Sequence, residues 1–290
     1  MAVAACAMVV SASPSWGQPL TTRAVTIDGI AVRVRTSDLS ARPAGAPIVV
    51  FESGAATPLE TWDRVLDAVA QFAPVVAYDR SGTGQTPWDN QPPTFSHVGA
   101  RLKRLLTELG APPPYVLVGH SLGGALVRYF AGSRPGDIAG ILYLDPTDIT
   151  MTHADMNALL LSIGAKDGDY DTFRRQMEKL VPTSGPIGAE AAVMTKLLDA
   201  DPADRGLPPA PPVAASIVLA GRIGTPPQKL APFDVKAFAA AMQELRVKRL
   251  RAWVTGRGTF EVATESGQFV HRDEPERVIT AIRALAAPAR

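Results

Sequence analysis

Cysteine and histidine are scarce in this 290-residue chain: there is one cysteine, Cys6, and there are four histidines, His97, His120, His153 and His271. A single cysteine excludes a disulfide framework, a cysteine-based zinc site and an iron–sulfur cluster. Four histidines mean that any chemistry needing an imidazole can be checked residue by residue. Charge of one sign is also lacking, with 29 basic and 28 acidic side chains and a formal net charge of +1. That balance gives no electrostatic footprint for nucleic acid or for an anionic membrane. Residues 2–10 are apolar but too few to span a bilayer, and no later stretch is longer, so no integral membrane segment is expected in the body of the chain.

What is present is a globular core composition: 46% hydrophobic residues, with nine Phe, five Tyr and four Trp. The apolar residues 2–10, followed by small polar residues to Gly17, match the pattern of a secretory leader although a basic start is missing. Residues 1–17 are therefore expected to be a leader and the protein to be exported, periplasmic or secreted. If the leader is not a signal, the chain is cytoplasmic.

From Val25 onward the pattern is that of an α/β protein. Asp28-Gly29 between two alternating runs predicts a hairpin. Short apolar runs at 48–51, 75–78, 115–118, 141–144 and 216–220, and the mostly apolar stretch near 250–254, predict strands. Helical periodicity fills 60–71, about 95–109, about 122–133, 233–245 and a last helix opening at Pro275 and running to about 286. Buried strands alternating with amphipathic helices predict a mostly parallel sheet covered on both faces. Residues 146–212 break the rhythm with several Met, a helical stretch near 171–180 and proline-rich punctuation. They are read as a helical cap inserted between core segments 18–145 and 213–290.

The sharpest motif is Gly119-His120-Ser121-Leu122-Gly123, directly after the apolar strand and directly before a helix. This is G-x-S-x-G in a strand–turn–helix setting, where small neighbours permit a tight turn that lifts the serine hydroxyl above the sheet. The helix behind it aims backbone N–H groups at a developing oxyanion.

Together with ESGA at 52–55, Trp62, YDRSGTG at 78–84, LVGHSLGG at 117–124, YLDP at 143–146 and DEPERVITAI at 273–282, this motif resembles the α/β-hydrolase family in its serine esterase/lipase-like branch. The resemblance is good over 25–145 and looser over 214–287. It implies the α/β-hydrolase fold, Ser121 as nucleophile, and the Leu122 and Ala55 N–H groups as the oxyanion hole. The Met-bearing cap suits a small apolar ester as substrate or ligand better than a charged peptide, and such an enzyme needs no metal or organic cofactor. A serine rather than an aspartate at the elbow disfavours a dehalogenase or epoxide-hydrolase mechanism.

Two partners of Ser121 depart from the family pattern. The expected base lies seven residues before the helix-opening proline, and that position is Gln268, which cannot accept a proton near neutral pH. His271, three residues on, is on the expected loop and is the candidate base, with His153, His97 and His120 as weaker alternatives. The commonest acid position, after the strand at 216–220, holds no carboxylate. Asp145 is the candidate acid, with Asp148 and Asp234 behind it, and Asp79 is read as holding its own turn. Two functions follow: a serine hydrolase using Ser121, His271 and Asp145, or a catalytically impaired fold that binds a small ligand.

Overall fold

The computed structural model of the chain describes residues 19–287, so the expected leader and Cys6 lie outside the described residues. Two strands open the fold, β1 (Thr21–Ile27) and β2 (Ile30–Thr36), paired antiparallel with Ile27 opposite Ile30. Asp28 and Gly29 take φ of 49° and 78° at the turn, the left-handed pair that a tight two-residue hairpin requires. The chain continues through β3 (Ile48–Glu52), α1 (Asp63–Ala70), β4 (Val75–Tyr78), α2 (Phe95–Glu108), β5 (Tyr115–His120), α3 (Leu122–Ser133) and β6 (Ile138–Leu144). Three helices follow, α4 (His153–Ser162), α5 (Asp169–Glu178) and α6 (Gly185–Asp199). The sheet then resumes with β7 (Ala214–Ala220), α7 (Val235–Leu250), β8 (Phe260–Ala263), the one-turn α8 (Val270–Asp273) and α9 (Pro275–Ala286).

The strands form one eight-stranded sheet in the order β1-β2-β4-β3-β5-β6-β7-β8. From β4 to β8 every pairing is parallel, while β2 runs antiparallel to both β1 and β4. The expected α/β architecture, a mostly parallel central sheet covered by helices, is the one found. Alternate residues of each buried strand serve opposite faces. Val50, Leu117, Ile141 and Ile217 pack toward α2 and α3, and Val49, Val116, Leu142 and Val218 toward α1 and α9.

One element departs from the sequence pattern. The mostly apolar stretch at 250–254 was expected as a strand, but α7 continues to Leu250 and a 3₁₀ turn covers Arg251–Trp253. Leu250, Trp253 and Val254 still pack on the core, which explains their apolar character. Gly256, at φ 56°, then turns the chain, and the last strand forms at Phe260–Ala263. Burial dictated the composition there, and the backbone solved it with a helix end rather than a strand.

Candidate active site

The elbow is a backbone-strained turn between β5 and α3. Ser121 has φ 52° and ψ −118°, a conformation that L-residues rarely adopt and that persists only where surroundings enforce it. The Ser121 N–H donates to Leu144 O at 3.0 Å, and the Ser121 carbonyl accepts from Thr147 N and Gly124 N at 3.1 and 3.0 Å. Close packing needs the glycines: a Cβ on Gly123 would sit 2.1 Å from Glu52 O, and one on Gly119 would sit 2.5 Å from Gly123 O. Leu122 is the first residue of α3, so its N–H has no acceptor inside the helix and is free for a ligand oxygen. Ala55, the other expected oxyanion donor, lies exposed on the loop after β3.

The neighbour of the Ser121 hydroxyl is Gln268, whose Nε2 donates to Ser121 Oγ at 3.2 Å. Its loop is fixed from within, since Asp273 Oδ2 accepts from Gly267 N at 2.9 Å and from Ser266 Oγ at 3.2 Å. His120 Nε2 lies 2.9 Å from the Gln268 carbonyl, and burial drives the His120 pKa down to about 4.

The expectation that His271 serves Ser121 is corrected. His271 is wholly buried, its Nε2 lies 2.6 Å from Thr61 Oγ1, and its ring packs 4.5 Å from Trp62 and 4.6 Å from His120. The single turn of α8 places the ring against Thr61, Trp62 and the His120 ring, while Gln268 takes the contact with the Ser121 hydroxyl. Burial, aided by His120 and Arg272, lowers its pKa to about 2, so it is neutral and sealed from solvent.

Asp145 was expected to orient that imidazole and does not. Its Oδ1 accepts from Ala220 N at 3.1 Å and from Arg246 Nη2 of α7 at 2.7 Å. The alternatives are also engaged. Asp148 accepts from Thr150 N at 2.9 Å and Arg249 Nε at 2.7 Å, and Asp234 caps α7. Asp79 accepts from Leu59 N and Gln85 N at 2.7 and 2.9 Å, holding two turns in place. His97 pairs with Asp89 at 2.8 Å, and His153 pairs with Asp171 at 2.7 Å.

Ser121, Gln268, Asp145, Arg246 and His153 all line one cavity of about 540 Å³. Its remaining wall combines Met151, Met156, Met177 and Val181 from the segment between β6 and β7 and Met242 from α7 with the charged Asp148, Arg174, Glu178 and Asp199. Among the described residues, no group of three or more His, Cys, Asp or Glu side chains is placed to hold a metal ion, and no helix is long and apolar enough to cross a membrane.

Sequence reasoning missed Arg246 and the buried charges beneath the Ala55 loop. Arg80 Nη1 donates to Glu52 Oε1 at 2.7 Å, Arg80 Nη2 to Glu190 Oε1 at 2.7 Å, and Tyr78 donates its hydroxyl proton to Glu52 Oε2. Burial disfavours the Arg80 cation, but Glu190 and Glu52 outweigh it and hold its pKa above the ordinary guanidinium value. Burial pushes the Glu52 carboxyl upward, and Arg80 and Tyr78 offset this in part. Arg80 was visible in YDRSGTG, but its partner Glu190 stands 110 residues away, with no local pattern to announce it.

A sequence model of the Alpha/beta hydrolase family matches residues 49–281. Among curated proteins, YqjL of Bacillus subtilis is 30% identical over 121 residues, covering 42% of this chain and 46% of that protein. Lipase LipV of Mycobacterium tuberculosis is 29% identical over 159 residues, covering 55% of this chain and 57% of the lipase. The chain thus spans about half the length of each of these relatives. Among solved structures, a probable hydrolytic enzyme from Pseudomonas aeruginosa superposes with a TM-score of 0.61 at 16% identity, covering 93% of this chain and 95% of that one. The naproxen esterase of Bacillus subtilis superposes with a TM-score of 0.57 at 17% identity, covering 94% and 93%. At such identities the structural likeness speaks for the fold.

Proposed function

Since the chain belongs to the alpha/beta hydrolase family, we propose that it is a serine hydrolase of small apolar carboxylic esters that acylates slowly at Ser121, because Gln268 stands where an imidazole base is expected. The observation that carries this reading is the 3.2 Å contact from Gln268 Nε2 to Ser121 Oγ. An active serine donates its proton to a base, whereas this serine receives a hydrogen bond from an amide. Ser121 Oγ attacks the ester carbonyl, and the Leu122 and Ala55 N–H groups hold the resulting oxyanion. The hydroxyl proton passes to water or hydroxide, the alcohol leaves, and a second water hydrolyses the acyl-enzyme. Loss of a triad histidine removes on the order of 10⁴–10⁶ in turnover, and the oxyanion hole and binding retain about 10³–10⁴ over water.

The Met-bearing part of the cavity wall suits an apolar acyl or alcohol group better than a charged one. The segment 146–212 supplies most of that wall and acts as the cap over Ser121. Family relatives that include a lipase, and a fold neighbour that is an esterase, support ester chemistry.

A second reading, a binding protein with no turnover, is favoured by the Asp145–Arg246 pair, which engages the carboxylate that follows β6 and lines the cavity with Ser121. A p-nitrophenyl alkylphosphonate separates the two. The hydrolase reading requires slow stoichiometric labelling that Ser121→Ala abolishes and His271→Phe leaves within about threefold. Saturable binding of an apolar ester with no labelling of the native chain over days selects the binding protein.

A further inference from the structure

The loop that presents Ala55 is clamped from both sides by buried charges. Arg80 Nη1 and Nη2 donate to the Ser53 and Gly54 carbonyls at 2.6 and 2.7 Å. On the other side of Ala55, the Ala56 N–H donates to Glu190 Oε2 at 2.8 Å. The second Glu190 oxygen accepts from Arg80 Nε at 3.1 Å and Nη2 at 2.7 Å, which closes the ring of contacts. Arg80, Glu52 and Glu190 are 5%, 1% and 7% exposed, so water does little of this work. Ala56 itself takes φ 51°, a strained value for a residue with a Cβ. The Glu190 contact is the one side-chain bond that holds its N–H.

Glu190 belongs to α6, in the segment between β6 and β7, and Thr195 and Leu198 of the same helix line the cavity over Ser121. One helix therefore touches both the space a ligand occupies and the loop that would bind its oxyanion. Two carboxylates around one guanidinium are a poor way to gain stability, because desolvation offsets most of the attraction. The geometry of Glu190, one oxygen on the Ala56 N–H and the other on Arg80, instead fits a role in setting a conformation.

We infer that Glu190 is a positioning residue: through the Ala56 N–H and through Arg80 it sets the Ala55 amide opposite the Leu122 amide, and it ties that alignment to helix α6. The inference rests on the Ser121 reading for its chemical consequence, but the clamp itself can be read without turnover.

The test uses the full chain with Glu190→Asp, Glu190→Gln and Glu190→Ala. Two quantities are read, amide hydrogen exchange at Ala56 relative to β5 and the rate at which a p-nitrophenyl alkylphosphonate labels Ser121. Glu190→Asp keeps the charge beside Arg80 but withdraws the carboxylate from Ala56 by one methylene, so it should fold. The clamp requires exchange at Ala56 to rise at least about tenfold while β5 stays protected, and labelling to slow about ten- to hundredfold. Glu190→Gln keeps the reach and an acceptor, and it should recover protection and most of the labelling rate. Glu190→Ala, where it folds, should be the most severe. Native exchange at Ala56 and native labelling in the Asp variant would overturn the inference, as would exchange raised equally throughout the sheet. If the native chain never labels yet Ala56 loses protection in the Asp variant, the clamp stands and the Ser121 hydrolase reading falls.

Discussion

Gln268 is held at both ends: its side-chain Nε2 lies 3.2 Å from Ser121 Oγ, and its carbonyl lies 2.9 Å from His120 Nε2. A carbonyl carries no proton, so His120 must donate from Nε2, which leaves Nδ1 as an unprotonated lone pair with no partner. Burial keeps the ring neutral in that tautomer at neutral pH. His120 thus fixes the loop that delivers Gln268 to the nucleophile, and the elbow histidine is a support rather than a base. With the backbone of residue 268 held in this way, we expect a histidine there to reach Ser121 as well.

Arg246 is the second obstacle to a working triad. Its guanidinium occupies Asp145 Oδ1 at 2.7 Å, so an imidazole introduced at 268 would find its carboxylate already engaged. We expect Gln268→His alone to raise p-nitrophenyl butyrate turnover by at least about 10²-fold. Adding Arg246→Met should raise it by a further tenfold or so, and Arg246→Met alone should change it by less than about threefold. The non-additivity of that cycle measures the coupling of Asp145 to the new base. Additive effects would mean that Asp145 does not serve position 268.

His271 acts on stability rather than turnover. In the unfolded chain it takes a proton near its ordinary value of 6.5, whereas in the folded chain burial delays this to about 2. Below pH 6.5 the unfolded state therefore binds more protons, and stability, full above 6.5, falls as pH drops. Each such histidine contributes a slope of about 1.4 kcal/mol per pH unit. His120, held near 4, adds to the slope only above that value. Urea unfolding of His271→Phe between pH 6.5 and 4 should show a shallower slope than the native chain by about that amount, with labelling of Ser121 retained.

Gly123 sets the closeness of the elbow to β3. A Cβ there would approach Glu52 O to 2.1 Å and Ser53 O to 2.6 Å, both backbone atoms that cannot swing aside. We expect Gly123→Ala to lose about 3 kcal/mol of stability and to disorder the Ser53–Ala55 geometry. Chemical denaturation and phosphonate labelling check the two effects together.

The sequence conveyed the sheet and the elbow because both are local signals. Apolar runs such as 115–118, a serine between two glycines and a strand before a helix lie within a few residues of one another. The helix opening at Pro275 was legible for the same reason, since proline suits a first helical turn. Gln268 was found by its spacing from that proline. The orientation of His271 was not legible: the one turn of α8 that sends its ring inward against Trp62 is decided by packing across 209 residues of sequence. Arg246 and Glu190 were missed because an ion pair leaves no periodic trace when its members come from distant elements. The mostly apolar 250–254 misled because burial selects the same residues for a helix end and for a strand.

Gln268, not an imidazole, meets the Ser121 hydroxyl, and the pH dependence of p-nitrophenyl butyrate hydrolysis tests the consequence most directly. Native protein, Ser121→Ala and Gln268→His are compared from pH 5 to 9. We expect the Ser121-dependent rate of the native chain to be low and to climb in proportion to hydroxide with no inflection near 6.5, and Gln268→His to be faster with a sigmoidal rise in that region. A native rate that is already high, rises sigmoidally near a histidine pKa and is not improved by Gln268→His would contradict this expectation.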